Sequence, residues 1–143
     1  MTLAKVLLVD DEEDFTNVLS QRLIARGLSV ECAANGRTAL QKAREMDFDI
    51  AILDYWMPEM DGLATLKKLR EECPHLHVIM LTGHGDVKSG VEAMKQGAKD
   101  YLEKPADLQE LLAKISEAKS QKELLFEQAI EEKINKIMGV KGW

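Results

Sequence analysis

Short apolar runs alternate along the chain with stretches whose apolar residues recur every three or four positions. The runs are AKVLLVD (4–10), LSVECA (28–33), DIAILD (49–54), HVIMLT (77–82) and KDYLEK (99–104). Between them Phe15, Val18, Leu19 and Leu23 keep helical spacing, as do Leu63, Leu66 and Leu69, and then Val87, Val91 and Met94. The punctuation agrees: Gly27, Gly36 and Gly97 stand at segment ends, Asp61 and Asp86 are placed to cap helices, and Pro74 follows a helix end. Five strand–helix alternations predict a doubly wound α/β fold, a parallel sheet with helices on both faces. The first, third and fourth runs are almost wholly apolar, as central strands are, and the more polar fifth is expected at an edge.

From Asp107 to about Met138 there is neither proline nor glycine. At ~1.5 Å per residue this predicts a helix on the order of 45 Å long, longer than the sheet it starts on. Leu108, Leu111, Leu112 and Ile115 form one stripe fit to pack on a sheet, whereas after Lys119 the apolar positions shift to Leu124, Leu125, Ile130, Ile134 and Ile137. The chain therefore divides into a domain over 1–119 and a helical extension over 120–143. The extension reads either as a solvated helix, with Glu132 and Lys136 at supportive i,i+4 spacing, or as a linker or dimerisation helix. Strict heptads are not sustained, because Lys122 and Glu132 fall on the seam drawn from Leu111. Whether the chain ending GVKGW stands alone or begins a longer regulator stays open.

Composition narrows the classes. The chain has 143 residues, 45% of them hydrophobic and 31% charged, with a net charge of −6. An acidic balance argues against direct nucleic-acid binding, and no apolar run approaches the ~20 residues that span a bilayer. Cys32 and Cys73 are far apart and outside any metal spacing, so two free thiols and a cytoplasmic setting are expected. No strand is followed by GxGxxG or GxxxxGK[ST], which removes the usual support for dinucleotide or P-loop chemistry.

Ligands of open parallel sheets bind at the carboxyl ends of the strands. There the first run ends in Asp10 and Asp11, the third in Asp54, the fourth in Thr82 and Gly83, and the fifth in Lys104. Three carboxylates brought together repel unless a cation joins them, and Mg²⁺ prefers such oxygen ligands. Lys104 adds a positive charge and Thr82 a donor, both suited to a phosphoryl group, while Gly83 leaves room and a backbone N–H for it. With its charge neutralised on both sides, Asp54 can act as a nucleophile toward phosphorus.

VDDE, LDxxMPxMDG, LTG and YLxKP occur in that order, and over residues 3 to about 118 the chain resembles a response-regulator receiver domain of two-component signalling, the CheY-like family. The resemblance implies a flavodoxin-like strand order 2-1-3-4-5. It implies that Asp54 accepts a phosphoryl group from a sensor histidine kinase or a phosphotransfer protein, and that the chain catalyses only its own phosphorylation and slow dephosphorylation. Asp11 and Asp54 would bind Mg²⁺ directly, Asp10 through water, and the backbone carbonyl of Trp56 would be a further ligand. The backbone of Trp56 and of Gly83 would also meet the phosphoryl group. Lys104 would pair with it, positioned by a cis peptide before Pro105. Thr82 and Tyr101 would be the switch pair, altering the face made by helix 4, strand 5 and helix 5 to control a partner or the chain's own dimerisation. Met57, Pro58, Asp61 and Gly62 read as turn and helix-start residues that shape the acceptor loop.

Trp56 and His84 each lie two residues beyond a site residue and are expected at the pocket mouth, where Trp56 would shield the phosphoryl group from water. His75 and His77 read as surface residues. A haloacid dehalogenase-type phosphatase would carry DxD on its first strand, and a flavodoxin-like flavin protein would have a Ser/Thr/Gly-rich phosphate loop. VDDEED is neither.

Overall fold

The computed structural model describes residues 4–57 and 61–139; Pro58 and the terminal VKGW beyond Gly139 lie outside them. The elements run β1 (Lys5–Val9), α1 (Glu13–Ala25), β2 (Ser29–Ala33), α2 (Gly36–Glu45), β3 (Ile50–Asp54), α3 (Gly62–Glu72), β4 (His77–Thr82), α4 (Val87–Lys95), β5 (Asp100–Glu103) and α5 (Leu108–Met138). The strands form one parallel sheet in the order β2-β1-β3-β4-β5, with β5 at an edge as expected.

Alternation along each strand divides the core in two. Leu7, Val9, Ala51, Leu53, Val78 and Met80 pack with Ala39 and Leu40 of α2, Leu66 and Leu69 of α3 and Ala93 of α4. Val6, Leu8, Ile50, Ile52, Ile79 and Leu81 point the other way, onto Leu19 and Leu23 of α1 and Leu111 and Ile115 of α5. Strands covered on both faces must be apolar at every position, which is why the central runs lack polar residues until they end. Asp61 and Asp86 cap α3 and α4, their carboxylates accepting from Ala64 N and Ser89 N.

Apolar residues of two helices do not all face the sheet. Val18 of α1 faces solvent, and Val87, Val91 and Met94 of α4 are 53%, 44% and 43% exposed. The helix instead buries Ser89, Gly90 and Ala93. Its small side is the one that can come close: a Cβ on Gly90 would lie 2.4 Å from the Tyr101 ring of β5. Periodicity identifies an apolar line, but steric fit selected a different side of the helix. At the far end of the sheet Lys122 of α5 bonds the Phe48 carbonyl at 3.1 Å and the Asp47 carboxylate at 2.8 Å. Beyond it the helix overhangs the domain.

Candidate functional site

The carboxyl ends of β1, β3, β4 and β5 bring the candidate residues to one place. β1 ends where Asp10 N donates to Ala33 O at 3.1 Å, and β3 where Tyr55 N donates to Leu81 O at 2.9 Å. These bonds fix the backbone on which Asp10 and Asp54 are held, both almost fully buried, while Asp11 is exposed. One carboxylate oxygen from each of the three lies within 4.8 Å of the others. The chain after β3 is held from below by Gly62, whose N–H donates to Tyr55 O at 2.9 Å. A Cβ there would sit 2.1 Å from the Asp54 carbonyl oxygen, so the glycine after Asp61 is needed for close approach.

Lys104 reaches this cluster from β5. Its ammonium donates to Asp10 Oδ2 at 2.7 Å and lies 3.5 Å from Glu12 and 3.7 Å from Asp54 Oδ1, over the Phe15 ring at 4.5 Å. Its backbone N donates to Thr82 O at 2.8 Å, and the Lys104–Pro105 peptide is cis. Burial opposes the ammonium charge, but the Asp10 hydrogen bond and the charges of Asp10, Asp54 and Glu12 outweigh it and raise the lysine's pKa. Asp54 is pushed up to about 7, by burial first and by the Asp10 charge second; Lys104 and the Trp56 backbone amide oppose the shift without cancelling it.

Thr82 is fully buried, and its Oγ1 has no hydrogen-bond partner. An orphaned buried hydroxyl is costly, and here it stands at the end of the strand beside Asp54, where an incoming oxygen acceptor would satisfy it. A Cβ on Gly83 would meet nothing within 4 Å, so there is open space beside it. The donor set of three carboxylates, a hydroxyl and an ammonium fits a hard divalent cation bound together with an anionic oxygen group.

At the rim Trp56 is 63% exposed and its indole N–H donates to Asp86 Oδ2 at 3.2 Å, tying the loop after β3 to the N-cap of α4. His84 is exposed, with Nδ1 4.0 Å from Glu103. Tyr101 is half-buried over Gly90 rather than at the carboxylates. Sequence reasoning missed Glu12, Phe15 and Asp86 as site neighbours. Glu12 directly follows the aspartate pair and was within reach of that reasoning. The contacts of Phe15 and Asp86 depend on three-dimensional packing.

Residues 6–116 match the family described as response regulator receiver domain. The chain belongs to that family. The receiver is 41% identical over 107 residues to the regulatory protein AtoC of Escherichia coli, a match covering 75% of this chain and 23% of that protein. It is 41% identical over 113 residues to the transcriptional regulatory protein ZraR of the same species, covering 79% and 26%. The receiver thus spans about a quarter of the length of these curated relatives. A crystal structure of a response regulator receiver domain protein from Clostridium thermocellum superposes with a TM-score of 0.81 at 37% identity, covering 86% of this chain and 99% of that one. Membership makes this a two-component signalling protein, with phosphorylation-dependent signalling implied. Among the described residues, no helix is long and apolar enough to cross a membrane.

Proposed function

We propose that the protein is a phosphorylation switch whose acceptor is Asp54, loaded by a sensor histidine kinase or a phosphotransfer protein in the presence of Mg²⁺. The observation that carries this reading is the meeting of Asp10, Asp11 and Asp54 within 4.8 Å, beside Lys104 and the unpartnered Thr82 hydroxyl. A magnesium ion, when bound, offsets the carboxylate charges and draws charge from the phosphoryl oxygens. Asp11 and Asp54 would hold it directly, Asp10 through water, with the Trp56 carbonyl beside them.

In transfer, a carboxylate oxygen of Asp54 forms the new bond to phosphorus as the phosphorus–nitrogen bond of phosphohistidine breaks, and the imidazole leaves with a proton from solvent. Lys104 needs only to turn from Asp10 to meet a phosphoryl oxygen, and Thr82 Oγ1 and the backbone N–H groups of Trp56 and Gly83 meet the others. The contribution is positioning and electrostatics. Water attack on phosphorus later restores the carboxylate and releases phosphate, and Trp56 and His84 at the rim control that access. Movement of Thr82 frees Tyr101 to shift against Gly90, changing the α4–β5–α5 face that presents Val87, Val91 and Met94 to a partner. Residues 1–119 would form the switch and 120–143 its connection to output.

Incubation with acetyl phosphate and MgCl₂ tests the reading. Hydroxylamine-sensitive phosphate is expected on Asp54, absent without Mg²⁺ and absent from Asp54→Asn. Labelling that survives this substitution would refute the assignment.

A further inference from the structure

At the foot of β4, the end opposite Thr82, the structure holds a cavity of about 280 Å³. At ~3.3 Å per residue along the strand, it lies roughly 17 Å from that threonine and from the carboxylate site. Four groups able to carry positive charge line it: Arg70 from α3, His75 and His77 where β4 begins, and Lys99 from the turn before β5. Among the described residues no carboxylate lines it, although the chain as a whole carries −6. The guanidinium is held in place. Arg70 Nη1 donates to Pro74 O at 2.9 Å and to Leu76 O at 3.2 Å, bonds that engage one of its three nitrogens and leave other donors for a ligand. A Cβ at Gly97 would sit 3.1 Å from Arg70 Nε, and the φ of +104° there favours glycine. His77 is half-buried among these charges. Burial first and the Lys99 charge second lower its pKa, with Arg70 adding to them and the Glu117 carboxylate of α5 opposing. An anion in the cavity would relieve this crowding of like charge.

We propose that this cavity binds a phosphate group, free or carried on a small monoester, at a site separate from Asp54. A guanidinium, an ammonium and two imidazoles reach it from three segments of the chain. That set suits a dianion with oxygens in tetrahedral directions better than a single planar carboxylate, which would leave much of the positive charge uncompensated. The volume lies just below the ~300 Å³ at which sites for drug-sized ligands begin, so the group bound is small. Ala98 and Leu125 of α5 give an apolar wall against which a short ester substituent would rest. The inference goes beyond the phosphoryl chemistry at Asp54 and is independent of it.

The three histidines give separate ring signals for proton NMR of the full chain. Sodium phosphate added in chelator, with ionic strength held constant by sodium chloride, should shift the His75 and His77 signals saturably and raise the pH at which His77 titrates. Exposed Lys99 can be replaced without disturbing the core. Lys99→Gln should weaken binding by about fivefold, the worth of one partly exposed ion pair. Lys104→Gln, which alters the carboxylate site, should leave the His77 response in place. Glycerol 3-phosphate in place of phosphate identifies the source. Tighter binding assigns the cavity to a monoester, equal or weaker binding to free phosphate, and either result supports the site. No saturable shift up to about 50 mM phosphate, a response that chloride reproduces, or one that Lys104→Gln abolishes and Lys99→Gln does not would each overturn the proposal.

Discussion

Asp54 meets two demands that oppose each other: it must be buried beside another carboxylate to be useful, and that burial disfavours its ionised form. Its pKa is raised from 3.8 to about 7. A carboxyl with a raised folded-state pKa contributes full stability below its unfolded value and loses it as pH climbs through the folded one. Without metal, stability should fall between about pH 4 and about pH 7. A divalent cation requires the ionised form, so its effect runs the other way. Melting in chelator and in Mg²⁺ should show a larger Mg²⁺ shift at pH 8 than at pH 5.5, and Asp54→Asn should flatten the difference. Equal shifts at both pH values would separate the cation from Asp54. Trp56 stands over the same pocket with its indole fastened to Asp86. Replacing it by the smaller Asn should speed phosphate release from the labelled protein several-fold; an unchanged or slower rate would remove its shielding role.

At the scale of elements, α4 shows how packing overrides an apolar pattern. The Tyr101 ring occupies the place where a side chain at position 90 would begin. Gly90→Ala should therefore cost about 1–3 kcal/mol in urea unfolding through overpacking. Tyr101→Ala in the same chain should recover much of that, a non-additivity that a double-mutant cycle reads directly. Independent effects would mean the contact does not set the ring's position. Val87, Val91 and Met94 keep helical spacing, but nothing in one dimension says that a neighbouring tyrosine demands the glycine side. The strands were legible for the converse reason: β1, β3 and β4 are covered on both faces, so each position carries its own burial signal.

For the whole molecule, the attachment of α5 reaches past residue 119. Ala118 is the last buried residue of the helix, but Lys122 adds ion pairs to Asp47 and Asp49 and a bond to the Phe48 carbonyl. A chain ending after Lys119 should be about 1 kcal/mol less stable than one ending after Glu123, since it forfeits a charge-assisted hydrogen bond. Equal denaturation midpoints would confine the domain to the shorter boundary.

The order of strands and helices, the central position of β1, β3 and β4, and the residue types gathered at the strand ends were determined by the sequence, because burial on two faces and strand-end placement leave periodic, local traces. The meeting of Asp10 with Lys104, 94 positions apart, follows from that strand-end placement, since both close strands of one parallel sheet. Which carboxylate the ammonium bonds, which side of α4 turns inward, and the orphaned Thr82 hydroxyl were decided by tertiary structure alone. These depend on distances of a few tenths of an ångström between distant segments, and no spacing along a chain records such distances.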